Sequence, residues 1–224
     1  MRDYRLSPSS LALYTECPHC FWLQMVKRVK RPDTPFPSLP SGVDKLLKEH
    51  FDRYRKMGKL PPELERHHIT AKLFKDKVLL DEWRNYPGGK GLQWEDRKSG
   101  VVLRGYVDEI LQTSGKLIVL DFKTRGFPIK EDTAQYYQDQ MDLYNFLLRN
   151  NGYDTEDFAY LLFFHPSNVD MDGDFVFETE LQEIKVNVDH ARRLFLDAIK
   201  VLSEKTPPDS SKECGFCRWA GERY

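Results

Sequence analysis

Asp121 and Lys123 stand two apart in the run Val119-Leu120-Asp121-Phe122-Lys123-Thr124. In a strand, residues two apart share a face, so this carboxylate and ammonium project together while Leu120 and Phe122 point the opposite way. The segment Arg104-Gly105-Tyr106-Val107-Asp108-Glu109-Ile110 precedes them, and Thr113-Ser114-Gly115 marks a turn between the two. Pairing Gln112 with Leu117 puts Asp108 opposite Asp121, about 5 Å away at the backbone and on one face. Like charges so placed repel, and a divalent cation between them reverses the sign. An all-oxygen site suits Mg²⁺ or Mn²⁺. Such an ion stabilises phosphate charge and acidifies water. Lys123 can orient or help deprotonate that water, or neutralise developing charge. A lone D-x-K also reads as a solvated edge with an incidental ion pair; the second carboxylate strand makes the set hydrolytic. Downstream, Gln140 and Tyr144 lie one helical turn apart, so an amide and a phenol share a face. Taken alone, they read as a helix surface with Tyr144 packed on a sheet.

The four cysteines form two pairs, Cys17-Pro-His-Cys20 and Cys214-Gly-Phe-Cys217, with none between. Each C-x-x-C offers two thiolates at a span one metal centre bridges. Four thiolates suffice for tetrahedral zinc or an iron–sulfur cluster. The competing readings are redox dithiols, which lack a neighbouring βαβ pattern here, and disulfides, which the signal-free N-terminus disfavours. A shared centre would clasp the two ends of the chain, its binding energy counting as folding energy.

The elements that must carry these groups are readable in outline. Ser7 and Pro8 open a short helix ending near the first cysteine pair, and a second apolar turn follows. Lys27, Arg28, Lys30 and Arg31 form a basic run, and the prolines of 32–40 are expected to exclude regular structure. Residues 42–57 read as a helix ended by Gly58, and 61–86 are ambiguous, with a helix or extended piece around Lys72 to Trp83. Pro87-Gly88-Gly89 reads as a turn. Val101–Leu111 and Lys116–Lys123 read as strands, and Thr133–Asn150 as a helix closed by Asn151-Gly152. Ala159–His165 reads as a buried strand, Phe175–Glu180 as another, and Asn187–Lys205 as an amphipathic helix. This order implies an α/β fold with a central mixed sheet flanked by helices.

The 224 residues suffice for one domain, and the composition is that of a globular protein. No run approaches the ~18 apolar residues of a membrane span. A cytoplasmic location is expected. The net charge of -1 conceals an asymmetry: residues 1–60 hold 12 Lys/Arg and 6 Asp/Glu, and the other 164 hold 22 and 29. A basic N-terminal arm near Phe21, Trp22 and Phe36 can track a phosphate backbone and stack bases. The lysines from Lys45 to Lys59 read equally as a solvated helix face.

Together these motifs resemble the PD-(D/E)XK nuclease superfamily, and within it the RecB-like and CRISPR-associated adaptation branch. The resembling residues are Ser7-Pro8-Ser9-Ser10-Leu11 with Tyr14 and Cys17-Pro18, Gly105-Tyr106-Val107-Asp108, Asp121-Phe122-Lys123-Thr124, Gln140 with Tyr144, and Cys214 with Cys217. They run through nearly the whole chain in the family's order. The resemblance implies a single nuclease domain over 1–224, with a basic helical region 1–60, a catalytic core 91–205 and a cysteine clasp 206–224. It implies metal-dependent cleavage of DNA, as an exonuclease on single strands or ends, in repair, recombination or spacer acquisition with protein partners. Asp108, Asp121 and the Phe122 carbonyl would hold Mg²⁺ or Mn²⁺, Lys123 would be the catalytic lysine, and Gln140 and Tyr144 the adjoining helical motif. Cys17, Cys20, Cys214 and Cys217 would hold a 4Fe-4S cluster, with zinc as the alternative. The family usually places one cysteine near the N-terminus and three near the C-terminus; this chain has two and two.

The family often sets a metal-binding histidine shortly after a glycine on a helix before the hairpin. Here Leu46 occupies that spacing after Gly42, and His50 follows one turn later as the candidate ligand, with His67 and His68 as fallbacks. His19 reads as a bystander to its cysteine pair, His165 as structural and His190 as a surface residue. Two other readings compete with an active nuclease. One is a catalytically weak DNA-binding adaptor. The other is a cysteine-metal redox sensor.

Overall fold

The structure, a computed structural model, describes residues 4–33, 37–84 and 89–221. Phe36 and the Pro87-Gly88 part of the expected turn lie outside these residues. After a two-residue strand β1 (Arg5–Leu6), helix α1 (Pro8–Glu16) starts at Ser7. The Ser10 amide donates to the Ser7 hydroxyl and the Ser7 amide to the Ser10 hydroxyl, a reciprocal cap with Pro8 at the first helical position. Helix α2 (Pro18–Trp22) runs on into a π-helical turn, Leu23–Lys27.

Helix α3 (Ser38–Met57) begins earlier than expected and takes in Pro40. The ring stands in the first turn, where an amide needs no intrahelical partner, so it breaks nothing. Gly58 ends the helix at φ +67°, a left-handed conformation that favours glycine. The ambiguous stretch resolves into α4 (Pro62–Glu65), β2 (Lys72–Leu73) and α5 (Lys77–Trp83).

Then come β3 (Leu92–Asp96), β4 (Val101–Gly105), β5 (Glu109–Thr113) and β6 (Lys116–Thr124). The expected single strand 101–111 is therefore two strands, in different sheets. β4 lies between β1 and β3, whereas β5 belongs to a five-stranded sheet ordered β2-β5-β6-β7-β8. The chain changes sheet at Tyr106-Val107-Asp108. There the Val107 amide donates to the Trp83 carbonyl and the Asp108 carbonyl accepts from Arg84 Nε, so the break leaves these two backbone groups satisfied.

A 3₁₀ turn (Thr133–Tyr137) leads into α6 (Gln138–Asn150). The strands β7 (Phe158–Val169) and β8 (Phe175–Lys185) outrun their expected limits, and their far ends form an exposed hairpin. α7 (Val188–Leu202), capped by the Asn187 side chain, and α8 (Gly215–Gly221) complete the chain. β6 runs parallel to β7, while the other pairs of this sheet are antiparallel.

The sheet separates two apolar layers by the two-residue alternation of its strands. Leu117, Val119, Ala159, Leu161 and Phe163 join a core with α6 and α7. Ile118, Leu120, Phe122, Leu162 and Phe164 join Phe51 of α3 in the second. The fold is thus α/β, a mixed sheet flanked by helices.

Candidate active site and cysteine centre

The β5–β6 ladder runs from Glu109↔Leu120 to Thr113↔Lys116, the register expected from the turn. Asp108 lies one residue beyond its end, and its Oδ2 accepts from the Phe122 amide at 3.1 Å. That bond pins it beside Asp121. Asp121 and Lys123 continue the face of Val119 toward α6. Lys123 Nζ lies 2.6 Å from Asp121 Oδ2 and donates to Gln140 Oε1 at 2.8 Å; Gln140 Nε2 donates to the Tyr144 hydroxyl at 2.9 Å. The ammonium also stands 4.3 Å from the Tyr137 ring centroid. The period-two strand and the period-3.6 helix thus bring Asp108, Asp121, Lys123, Gln140 and Tyr144 together.

Glycine is required at the head of this set. A Cβ on Gly105 would fall 2.7 Å from Leu147 Cδ1 and 3.0 Å from Tyr144 Cε1. Both neighbours are buried on α6. Gly105→Ala should cost about 1–3 kcal/mol in a denaturant titration and displace Tyr144, lowering turnover as well.

His50 does not join the carboxylates. Its Nε2 pairs with Glu63 of α4 at 2.9 Å, and its ring packs beside Phe51 and Tyr54. The α3 residue that reaches Asp108 is Lys48, whose Nζ lies 2.9 Å from Asp108 Oδ1 and 2.7 Å from Asp44 Oδ2. At 3.6 residues per turn, His50 is some 200° round the helix from Lys48. Burial alone would lower Lys48, but Asp108 and Asp44 outweigh it and raise its pKa. Asp44 is raised by burial and then by Asp108.

Two further residues escaped the sequence reading. Arg84 and Glu109 are both fully buried and pair at 2.7 Å; Arg84 also reaches Asp52 of α3 at 3.0 Å and the Asp108 carbonyl at 2.7 Å. Arg55 joins the same Glu109 and Asp52. This network bolts α3 and α5 to the sheet break that carries Asp108. Glu109 had a signal, a charge beside Asp108 at a strand start; Arg84 had none.

The other histidines are engaged elsewhere or exposed. His19 Nδ1 bonds the Pro208 carbonyl at 2.8 Å, His165 is buried 3.3 Å from Glu180, and His190 lies 2.8 Å from Asp139. His67 and His68 are exposed. Phe21 and Trp22, two of the aromatics expected to stack bases, are interior: Phe21 packs on Tyr14, and Trp22 donates to the Glu204 carbonyl. An apolar pair following the first cysteines serves the core rather than a surface.

At the chain ends, the four cysteine sulfurs lie within 4.8 Å of one another. Cys17–Cys217, Cys20–Cys214 and Cys20–Cys217 are 3.8, 3.7 and 3.4 Å apart, and none is disulfide-bonded. Arg31 Nη2 donates to Cys214 Sγ at 3.4 Å.

The model of the PD-(D/E)XK nuclease superfamily matches residues 5–221. The chain belongs to the PD-(D/E)XK nuclease superfamily. Nineteen solved chains match it in structure. One of them, described as "Crystal structure of SSO0001", aligns over 99% of this chain and 86% of its own, with a TM-score of 0.50 and 16% identity. That likeness shows a shared fold. No protein with a curated description matches in sequence. Among the described residues no helix is long and apolar enough to cross a membrane.

PD-(D/E)XK nucleases typically use Mg²⁺ or Mn²⁺, and the residues here fit such an ion. Asp121 is 1% exposed and its Oδ2 receives no aligned hydrogen bond, although Lys123 is near. Burial, then Asp108, raises Asp121 to about 7 against the pull of Lys123. A divalent ion would relieve both causes. An unfolded aspartate titrates near 3.9, and a raised folded value makes a contribution that is complete below it and lost as pH climbs through 7. Without added divalent ion, Asp121→Asn should therefore be the more stable form at pH 8. The gap, on the order of a few kcal/mol, should fade by about pH 4 in urea titrations.

Proposed function

We propose that this PD-(D/E)XK protein is a DNA nuclease of the RecB-like and CRISPR-associated type, acting on single strands or DNA ends in repair, recombination or spacer acquisition. The observation that carries hydrolysis is the Asp108–Asp121 pair, Asp121 buried and Asp108 partly exposed, with Lys123 held on Asp121 and Gln140. The order of motifs from Ser7 to Cys217 supports the branch. A continuous core from Tyr4 to Leu202 supports one domain. Four unpaired thiols suit a reducing, cytoplasmic setting.

Asp108, Asp121 and the Phe122 carbonyl would hold the ion, which supplies charge withdrawal from phosphoryl oxygens and a more acidic water. The chain's own groups do the positioning. Gln140 and Asp121 fix the Lys123 ammonium where it can hydrogen-bond the attacking water or a non-bridging oxygen. Burial and the two aspartates hold the Tyr144 phenol well above its usual pKa, so it stays a neutral donor. As the water oxygen bonds to phosphorus it gives up a proton to solvent, the ester P–O bond breaks, and the leaving oxygen takes up a proton from solvent. Labelled single-stranded and duplex DNA with Mn²⁺ or Mg²⁺ tests the reading. Cleavage supports it; binding without turnover would establish the adaptor instead.

For the cysteine centre, the sulfur spacing favours zinc. A tetrahedral ion with Zn–S bonds of 2.3 Å sets its sulfurs about 3.8 Å apart. A four-iron cluster binds each thiolate to a different iron and spreads them further. The two-plus-two C-x-x-C arrangement agrees with zinc. A colourless protein with one zinc per chain is the expected result; a brown absorbance would establish the cluster.

A further inference from the structure

Lys48 is the one α3 cation described within reach of the carboxylates, and nothing in the hydrolytic set above uses it. Its residue is 8% exposed, and it spans Asp108 and Asp44 at 2.9 and 2.7 Å. A lysine this buried is held by its partners, because an ammonium without them would lose its hydration. It approaches Asp108 from α3, while Lys123 approaches Asp121 from β6. The acidic pair is thus flanked by an ammonium from each of two elements.

Charge counting shows what this does. Asp44, Asp108 and Asp121 carry three negative charges, and Lys48 and Lys123 two positive. One divalent ion takes the site from -1 to +1, which matches one phosphodiester charge. Two ions would leave +3. On α3 the position where a histidine ligand was sought holds Leu46, 64% exposed, and His50 is engaged by Glu63.

We propose that Lys48 takes the place of a second metal ion. It is an active-site cation that contacts the scissile phosphate, so that this chain cleaves with a single divalent ion. The inference rests on the nuclease reading above.

The test is Mn²⁺ titration followed by electron paramagnetic resonance, beside single-turnover cleavage. The wild-type protein should bind one Mn²⁺ per chain, and its rate should depend on Mn²⁺ with a Hill coefficient of one. Lys48→Met removes the charge that competes with the ion for Asp108. It should bind Mn²⁺ at least tenfold more tightly while cleaving at least a hundredfold more slowly, and Lys48→Arg should recover part of the rate. Two ions of similar affinity in the wild-type protein would overturn the proposal, and that measurement does not depend on the variant folding. An unchanged Mn²⁺ affinity in a folded Lys48→Met would overturn it too. Wild-type protein that binds no Mn²⁺ at all would instead sink the nuclease reading on which it stands.

Discussion

Asp121→Ala should lower Mn²⁺-dependent cleavage by about a thousandfold or more, the scale seen when a preorganised electrostatic partner of the transition state is removed. Asp121 is buried, is paired within the β6–β7 ladder and presents an oxygen with no aligned hydrogen bond. Removing it takes away a ligand and also releases Lys123, whose other anchor is the Gln140 carbonyl. Asp108→Ala should be comparably severe, since Asp108 links the Phe122 amide and Lys48. Lys123→Ala should cost roughly a hundredfold without loss of ion binding, because it removes an ammonium that competes with the ion for Asp121. Loss of fold would also abolish cleavage, so the fold of each variant is measured beside its rate. Quenched-flow cleavage with circular dichroism on the same samples separates the two. Wild-type rates in both Asp121→Ala and Lys123→Ala would sink the assignment.

Stripping the metal from the cysteine centre, or Cys214→Ser, should lower the melting temperature by on the order of 10 °C or more. Structural zinc contributes roughly 10–16 kcal/mol in small zinc-bound peptides, while whole domains are stable by about 5–15 kcal/mol. At this size each kcal/mol moves the melting point by roughly 2–4 °C, so even half of that contribution is large. The coupling to the core is direct. α1 and α2 carry Cys17 and Cys20 and also bury Leu11 and Phe21 in the main apolar cluster. Releasing the clasp loosens the strip that covers α6 and α7. Calorimetry with metal analysis at each step is the measurement. Complete metal release with an unchanged melting point would show the centre to be dispensable for folding.

Local chemistry made much of the chain legible before its structure. Ser7-Pro8, Gly58 and Asn187 mark helix ends through groups within a few residues, and the structure has those ends. The Thr113-Ser114-Gly115 turn set the hairpin register, because the pairing of an antiparallel ladder follows from its turn. From that register came the neighbourhood of Asp108 and Asp121, and strand and helix periods supplied Lys123, Gln140 and Tyr144. The convergence of the cysteine pairs needed only their type and number.

What stayed hidden depends on which distant surfaces meet. β-propensity is the same on both sides of Tyr106-Val107-Asp108, so nothing local announced that β4 and β5 enter different sheets. Pro40 stops a helix interior but not a first turn, and which of these it occupies depends on where α3 starts. Residue spacing alone admitted His50, but the rotation of α3 against the sheet turns Lys48 to Asp108 and His50 to Glu63. Arg84 meets Glu109 and the Asp108 carbonyl across 25 and 24 residues of chain. The sulfur separations exist only once the two cysteine pairs are packed together. Helix caps, turns and strand faces are short-range consequences of φ, ψ and side-chain type. The identity of a charged partner is set by packing, which in this chain decided which α3 cation stands beside Asp108.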